Sequence, residues 1–179
     1  MYIVVCGSPR AGKVRELITR AQAGGWETCV VATPDALRFI DRAALEQQTG
    51  HPVPDQYRRM DEINLLPPPD AIIVCPATFN TINKLAAGIS DTFALGLLTE
   101  AIGKRLPLVI APSLNSAQAA HWAFDRSIAE LRAAGVIVLY GPGVYEPGPP
   151  GTGGRPYSWD MPLQALHAEL AARSHGGTA

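Results

Sequence analysis

The chain has 179 residues, 47% of them hydrophobic and 17% charged, with a formal net charge of −1. That length suits one domain with a full core, and the composition excludes an intrinsically disordered chain. The near-zero charge gives no electrostatic footprint for nucleic acid or an anionic membrane, and no apolar run is long enough to span a bilayer.

Met1-Tyr2-Ile3-Val4-Val5 lacks the basic start of a signal peptide and reads as the opening of a strand over Tyr2 to Cys6, so a cytoplasmic location is expected. Gly7-Ser8-Pro9 makes a turn, and a helix is predicted from Ala11 to Ala23, stopped by Gly24-Gly25. A second strand follows over Thr28 to Ala32. Thr33-Pro34 then starts a helix, with Thr33 as N-cap and Pro34 at the first helical position. A short helix is predicted from Arg42 to Gln48. The segment from Gly50 to Pro69 is proline-rich and irregular; a loop this long in a compact domain is functional or contacts a neighbouring subunit.

The run Ala71-Ile72-Ile73-Val74-Cys75 reads as a buried strand, followed by helices from Thr78 to Ala87 and from Asp91 to Ile102. A strand over Leu106 to Ala111 leads to Pro112-Ser113-Leu114-Asn115, a helix from Ala117 to Ala134, and a last strand over Val136 to Tyr140. Gly141 to Pro156 is too dense in Gly and Pro for helix or central strand. A final helix, Met161 to Arg173, carries Leu163, Leu166 and Leu170 on one face. Strands alternating with helices predict an α/β fold, a Rossmann-like doubly wound parallel sheet with helices on both faces. The expected organisation is a main domain over residues 1–140, a flap or arm over 141–160, and a terminal helix with a frayed tail over 161–179.

Cys6, Cys29 and Cys75 each lie in or at the end of an apolar run and read as buried thiols; their spacing makes no metal site. Gly7-Ser8-Pro9-Arg10-Ala11-Gly12-Lys13 imitates a nucleotide-triphosphate loop, but Val14 stands where the magnesium-holding Ser or Thr is required. Arg10 and Lys13 then read as solvated charges, at best auxiliary to a phosphate.

The most specific stretch is Cys75-Pro76-Ala77-Thr78-Phe79-Asn80-Thr81, with Lys84 and Asp91 behind it. A strand that ends in small polar residues opening a helix is where an open α/β sheet binds an anion or cofactor. The block resembles the Pro-Ala-Ser-Ala-Asn-Thr motif of the flavin-containing cysteine decarboxylases. That family includes phosphopantothenoylcysteine decarboxylase and enzymes that decarboxylate peptide C-terminal cysteines. Three other patches match it in order: Gly7-Ser8, Thr33 through Phe39-Ile40, and Pro112-Ser113-Leu114-Asn115.

The resemblance implies FMN as cofactor, held by Gly7, Ser8, Thr33, Phe39, Thr78, Asn80, Thr81 and Leu114. It implies a small-molecule or peptide substrate whose carboxylate is bound by Asn115. It also implies a homotrimer, or an assembly of trimers, with flavin at the subunit interface. The flavin would oxidise the substrate's cysteine to a thioaldehyde-like species, which makes loss of the adjacent carboxylate easy. Three departures matter. Glu62, in Glu62-Ile63-Asn64-Leu65, stands at the family's histidine position, and His121 is the nearest candidate for a neutral-pH acid or base. Both methionines of the family's Pro-x-Met-Asn-x-x-Met-Trp block are absent. No cysteine follows Cys75 to supply the flap thiol of the coenzyme A branch. Capping is the alternative role for Thr78, Asn80 and Asn115. Two other readings stay open: a non-catalytic or regulatory FMN-binding homologue, and a flavin prenyltransferase-like enzyme with a basic cluster at Arg58-Arg59 and Arg105.

Overall fold

A computed structural model describes residues 1–57, 66–152 and 157–176. Five strands, β1 (Tyr2–Val5), β2 (Cys29–Ala32), β3 (Ile72–Ala77), β4 (Leu108–Pro112) and β5 (Ile137–Val138), form one parallel sheet in the order β2-β1-β3-β4-β5. Strands β1 to β4 are buried at every residue. Their sequences are therefore continuous apolar runs rather than alternating ones.

Among the described residues, seven α-helices flank the sheet: α1 (Arg15–Ala23), α2 (Arg42–Thr49), α3 (Phe79–Ala86), α4 (Phe93–Gly103), α5 (Ser116–Ala119), α6 (Trp122–Ala133) and α7 (Met161–Gly176). One sheet face carries Val4, Cys6, Val74 and Ile110 against Ile82 of α3, Leu98 of α4 and Phe124 of α6. The opposite face carries Ile3, Val5, Ile73 and Val109 against Leu17 of α1, Leu45 of α2, and Leu163 and Leu166 of α7. Neighbouring residues of each strand feed opposite cores, as the pleat requires. The doubly wound expectation holds.

Several boundaries differ from the expected ones, each for a local reason. The helix expected from Ala11 begins instead as a 3₁₀ turn, Pro9–Lys13, and α1 starts only at Arg15. Pro9 starts that turn, while Gly12 within it disfavours a regular α-helix. Thr33-Pro34 also opens a 3₁₀ turn, Pro34–Arg38, and the Thr33 side chain does not cap it. The strand expected to end at Cys75 runs on to Ala77; its register shifts between Val74 and Ala77, where Pro76 brings no N–H to the ladder. The last strand is paired only over Ile137–Val138, although the Leu139 N–H still reaches the Ile110 carbonyl at 2.9 Å.

The helix expected from Ala117 to Ala134 is two helices. Its break is His121, whose extended backbone (φ −74°, ψ 127°) lets Nδ1 accept from the Ala123 N–H at 3.1 Å. A side chain that satisfies the next helix's N-terminus stabilises the break. In the proline-rich segment, Ala32 donates to the Pro54 carbonyl and Val53 to Glu46 Oε1, which fastens its first part beside β2. Arg58, Arg59 and Glu62 lie outside the described residues.

Candidate functional site

The strand order reverses direction between β1 and β3, because the chain winds outward to β2 on one side and to β3, β4 and β5 on the other. Such switch points leave a crevice at the carboxyl ends of the strands. Here the crevice is a cleft of about 590 Å³. It is lined by Gly7-Ser8-Pro9 after β1, Thr33-Pro34-Asp35 after β2, Thr78 to Thr81 after β3 and Ser113 after β4. Lys84, Thr92, Leu95 and Gln118 complete its wall.

The wall is pinned by short polar links. Ser8 Oγ meets Ser113 Oγ at 2.8 Å and accepts weakly from the Arg10 N–H at 3.4 Å. Thr78 N-caps α3 by accepting from the Thr81 N–H, and the two hydroxyls meet at 3.0 Å. Lys84 pairs with Asp91. Gly7 allows the first two loops to close together: a Cβ there would lie 2.6 Å from the Asp35 Cβ. The cleft's size suits a mononucleotide-sized cofactor, and its hydroxyls and helix-start amides suit a polar one.

Beneath the cleft the thiols are insulated. Burial pushes the Cys6 thiol up, and hydrogen bonds to Thr81 and Thr78 only partly offset this. Burial pushes Cys75 up to about 12. Its Sγ lies 3.4 Å from the Tyr157 hydroxyl, whose own pKa burial raises well above the ordinary value. The folded Cys75 thiol keeps its proton above pH 9, where an exposed thiol of the unfolded chain loses it. Its contribution to stability is therefore complete below about pH 9 and is lost between about pH 9 and 12 as pH rises. The unfolding free energy is expected to fall by about 1.4 kcal/mol per pH unit over that window for each such thiol. Urea unfolding of wild type and Cys75→Ala at successive alkaline pH values checks this, the variant showing the shallower fall.

The sequence pattern of the Flavoprotein family matches residues 1–154. The chain belongs to the Flavoprotein family. Among curated relatives, the coenzyme A biosynthesis bifunctional protein CoaBC of Thermococcus kodakarensis is 34% identical over 141 residues, which is 76% of this chain and 35% of that protein. This flavoprotein thus spans about a third of the length of that relative. Among solved structures, the FMN-dependent cysteine decarboxylase SpaF superposes with a TM-score of 0.75 at 24% identity, over 94% of this chain and 95% of SpaF. The epidermin biosynthesis protein EpiD of Staphylococcus aureus does so with a TM-score of 0.67 at 27% identity, over 82% and 84% of the two chains.

In this flavoprotein the expected cofactor residues divide. Gly7, Ser8, Thr33, Thr78, Asn80 and Thr81 all line this one cleft, although they come from three separate strand ends. Phe39 does not line it; it caps the end of the 3₁₀ turn after β2 and is 37% exposed. Leu114 does not line it either; it is partly buried against the core on the sheet face that α3, α4 and α6 cover. Asn115 closes a capping box on α5, its Oδ1 accepting from the Gln118 N–H at 2.9 Å while Gln118 Oε1 accepts from the Asn115 N–H at 3.1 Å. Capping is thus a role Asn115 does play; it does not itself line the cleft, whereas its neighbours Ser113 and Gln118 do.

His121 lines no part of the cleft. Its Nδ1 is engaged as a cap, and its ring packs edge-on to Phe79 and stacks on Trp122. Glu62 lies outside the described residues. Arg105 precedes β4, at the end of the sheet opposite the cleft, so within one chain it supplies no cation there. Among the described residues no group of His, Cys, Asp and Glu is placed to hold a metal ion, and no helix is long and apolar enough to cross a membrane.

Sequence reasoning missed Arg10 and Tyr145. Arg10 is no solvated charge: its Nη1 donates to the Tyr145 hydroxyl at 2.9 Å, and its guanidinium lies 4.8 Å from the Tyr157 ring centre. Tyr145 is 135 residues away, and no local pattern pairs the two.

Proposed function

We propose that this flavoprotein binds FMN in the cleft and oxidatively decarboxylates a substrate ending in a cysteine carboxylate. The observation that carries the reading is the convergence of Gly7, Ser8, Thr33, Thr78, Asn80 and Thr81 on one crevice at the switch point. The similarity to CoaBC, SpaF and EpiD supports the choice of reaction.

Bound FMN supplies a two-electron acceptor. Ser8 and Thr33 hold its phosphate and ribityl hydroxyls. Thr78, Asn80 and Thr81 hold the polar edge of its ring. Asn115, with its Oδ1 spent on the cap, directs its amide N–H groups at the substrate carboxylate and fixes which bond aligns with the acceptor. We assign removal of the thiol proton to Glu62, on its position in Glu62-Ile63-Asn64-Leu65. His121, tied into its cap, is not given that role. The exposed Trp122 (69%) and Phe39 support the reading of a homotrimer in which a second copy covers them.

The test is to incubate the FMN-loaded protein with phosphopantothenoylcysteine and with a panel of peptides ending in cysteine, each beside its C-terminal amide. Loss of the mass of carbon dioxide plus two hydrogens from the free acids alone is the expected result. FMN-loaded protein that leaves every free acid unchanged contradicts the reaction and favours the regulatory reading.

A further inference from the structure

The turn that carries Asn115 is held on both sides by the segment following β5. On its first side, the Tyr145 hydroxyl donates to the Leu114 carbonyl at 3.2 Å. On its second, the Ser116 N–H donates to the Gly148 carbonyl at 2.8 Å. The same Tyr145 hydroxyl accepts from Arg10 Nη1 at 2.9 Å. A tyrosine hydroxyl has one proton to give, so these two bonds use it in a single direction: guanidinium to hydroxyl to carbonyl. A charged donor strengthens the first bond and polarises the hydroxyl toward the second.

Arg10 is in turn fixed to the cofactor turn. It follows Ser8 by two residues, its N–H reaches Ser8 Oγ, and Ser8 Oγ meets Ser113 Oγ. Its guanidinium lies over the rings of Tyr157 and Tyr145, at 4.8 and 5.6 Å from their centres. Tyr157 is itself anchored, donating to the Ala111 carbonyl at the end of β4 at 2.8 Å. Both hydrogen-bond partners of the Tyr145 hydroxyl, Arg10 and the Leu114 carbonyl, thus sit on turns that reach the cleft through Pro9 and Ser113, while Tyr145 itself does not line it.

We propose that Tyr145, held by Arg10, is a positioning residue that couples the flavin-binding turn after β1 to the Leu114–Asn115 turn after β4. Ordering of the first turn by bound FMN orders the second, before any substrate arrives. This rests on the reading that FMN occupies the cleft, but not on the identity of the substrate or on turnover.

The test is hydrogen–deuterium exchange of the peptide covering residues 113–120, with and without FMN, in wild type and in Tyr145→Phe. The substitution keeps the ring that packs against Tyr157 and removes both hydrogen bonds. FMN is expected to slow exchange in the wild type by roughly 3- to 10-fold, the scale of one net hydrogen bond. In Tyr145→Phe the FMN affinity stays within about twofold while most of that slowing is lost, the remainder being what the Ser8–Ser113 link and direct contact with Ser113 and Gln118 provide; general loss of stability does not produce this split. Arg10→Lys keeps the charge, loses the planar fork and is expected to show the same uncoupling, so it serves if Tyr145→Phe misfolds.

Equal FMN-dependent slowing in wild type and variants overturns the proposal, because the flavin then protects Ser113 and Gln118 by direct contact alone. Absence of any slowing in FMN-bound wild type overturns it too. A protein that shows the coupling and decarboxylates no cysteine substrate retains this inference and loses the reaction assigned above. One that takes up no FMN loses both.

Discussion

Replacing Gly7 by alanine is expected to weaken FMN binding by about 10- to 100-fold, with valine worse, while the fold survives. A Cβ at this position falls 2.6 Å from Asp35 Cβ and 3.1 Å from the Asp35 carbonyl carbon. The atom it meets is next to the backbone and has no freedom to swing away. The 3₁₀ turn after β2 must move outward, and Thr33, Pro34 and Asp35 move with it as one wall of the cleft. Overpacking of this kind costs about 1–3 kcal/mol, which is the stated range of affinity when the distortion falls on the binding wall. Titration of the apoprotein with FMN, followed by quenching of flavin fluorescence, measures it. An unchanged affinity in Gly7→Ala would place the flavin away from this wall.

Asn115→Asp is the second substitution with a large expected effect, and it separates the two roles of Asn115. Aspartate caps a helix as well as asparagine, so the bond to the Gln118 N–H survives and the melting temperature stays close to wild type. The amide donors, however, are replaced by a negative charge facing a carboxylate substrate. Loss of a hydrogen bond to a charged group costs about 1.5–3 kcal/mol, so kcat/KM is expected to fall by roughly 10- to 100-fold, before like-charge repulsion is added. Flavin affinity should change little. Turnover equal to wild type would reduce Asn115 to a cap and move carboxylate recognition elsewhere.

The fold is legible in the sequence because its strands are buried on both faces and so write themselves as short apolar runs closed by Gly, Pro or Thr. The core helices are legible for a different reason, the helical spacing of their one buried face, as with Leu163 and Leu166 of α7. What fails is local. His121 breaks the helix expected from Ala117 to Ala134, because the flanking alanines favour helix and an imidazole cap is not among the usual stop signals. The start at Ala11 fails because Pro9 opens a tighter turn than an α-helix.

The cleft is legible only where loop residues follow strands directly. Ser8, Thr33 and Thr78 meet that condition, with Asn80 just behind Thr78 in the first turn of α3, and their convergence follows from parallel strand order. Phe39 and Leu114 follow only from the resemblance; Leu114 packs against the core and Phe39 is exposed. Thr92, the N-cap of α4, and Gln118 of α5 also enter the wall, and no local pattern marks them. The Arg10–Tyr145 contact joins the first turn to the segment after the last strand, and only the folded chain brings them together.

The central claim is that this flavoprotein carries FMN in the cleft at the switch point. The most direct test is the visible absorption spectrum of the purified protein, with mass spectrometry of the cofactor released on denaturation. An oxidised flavin spectrum and release of FMN are expected, both lost or strongly reduced in Gly7→Val. A colourless protein that also takes up no added FMN would contradict it.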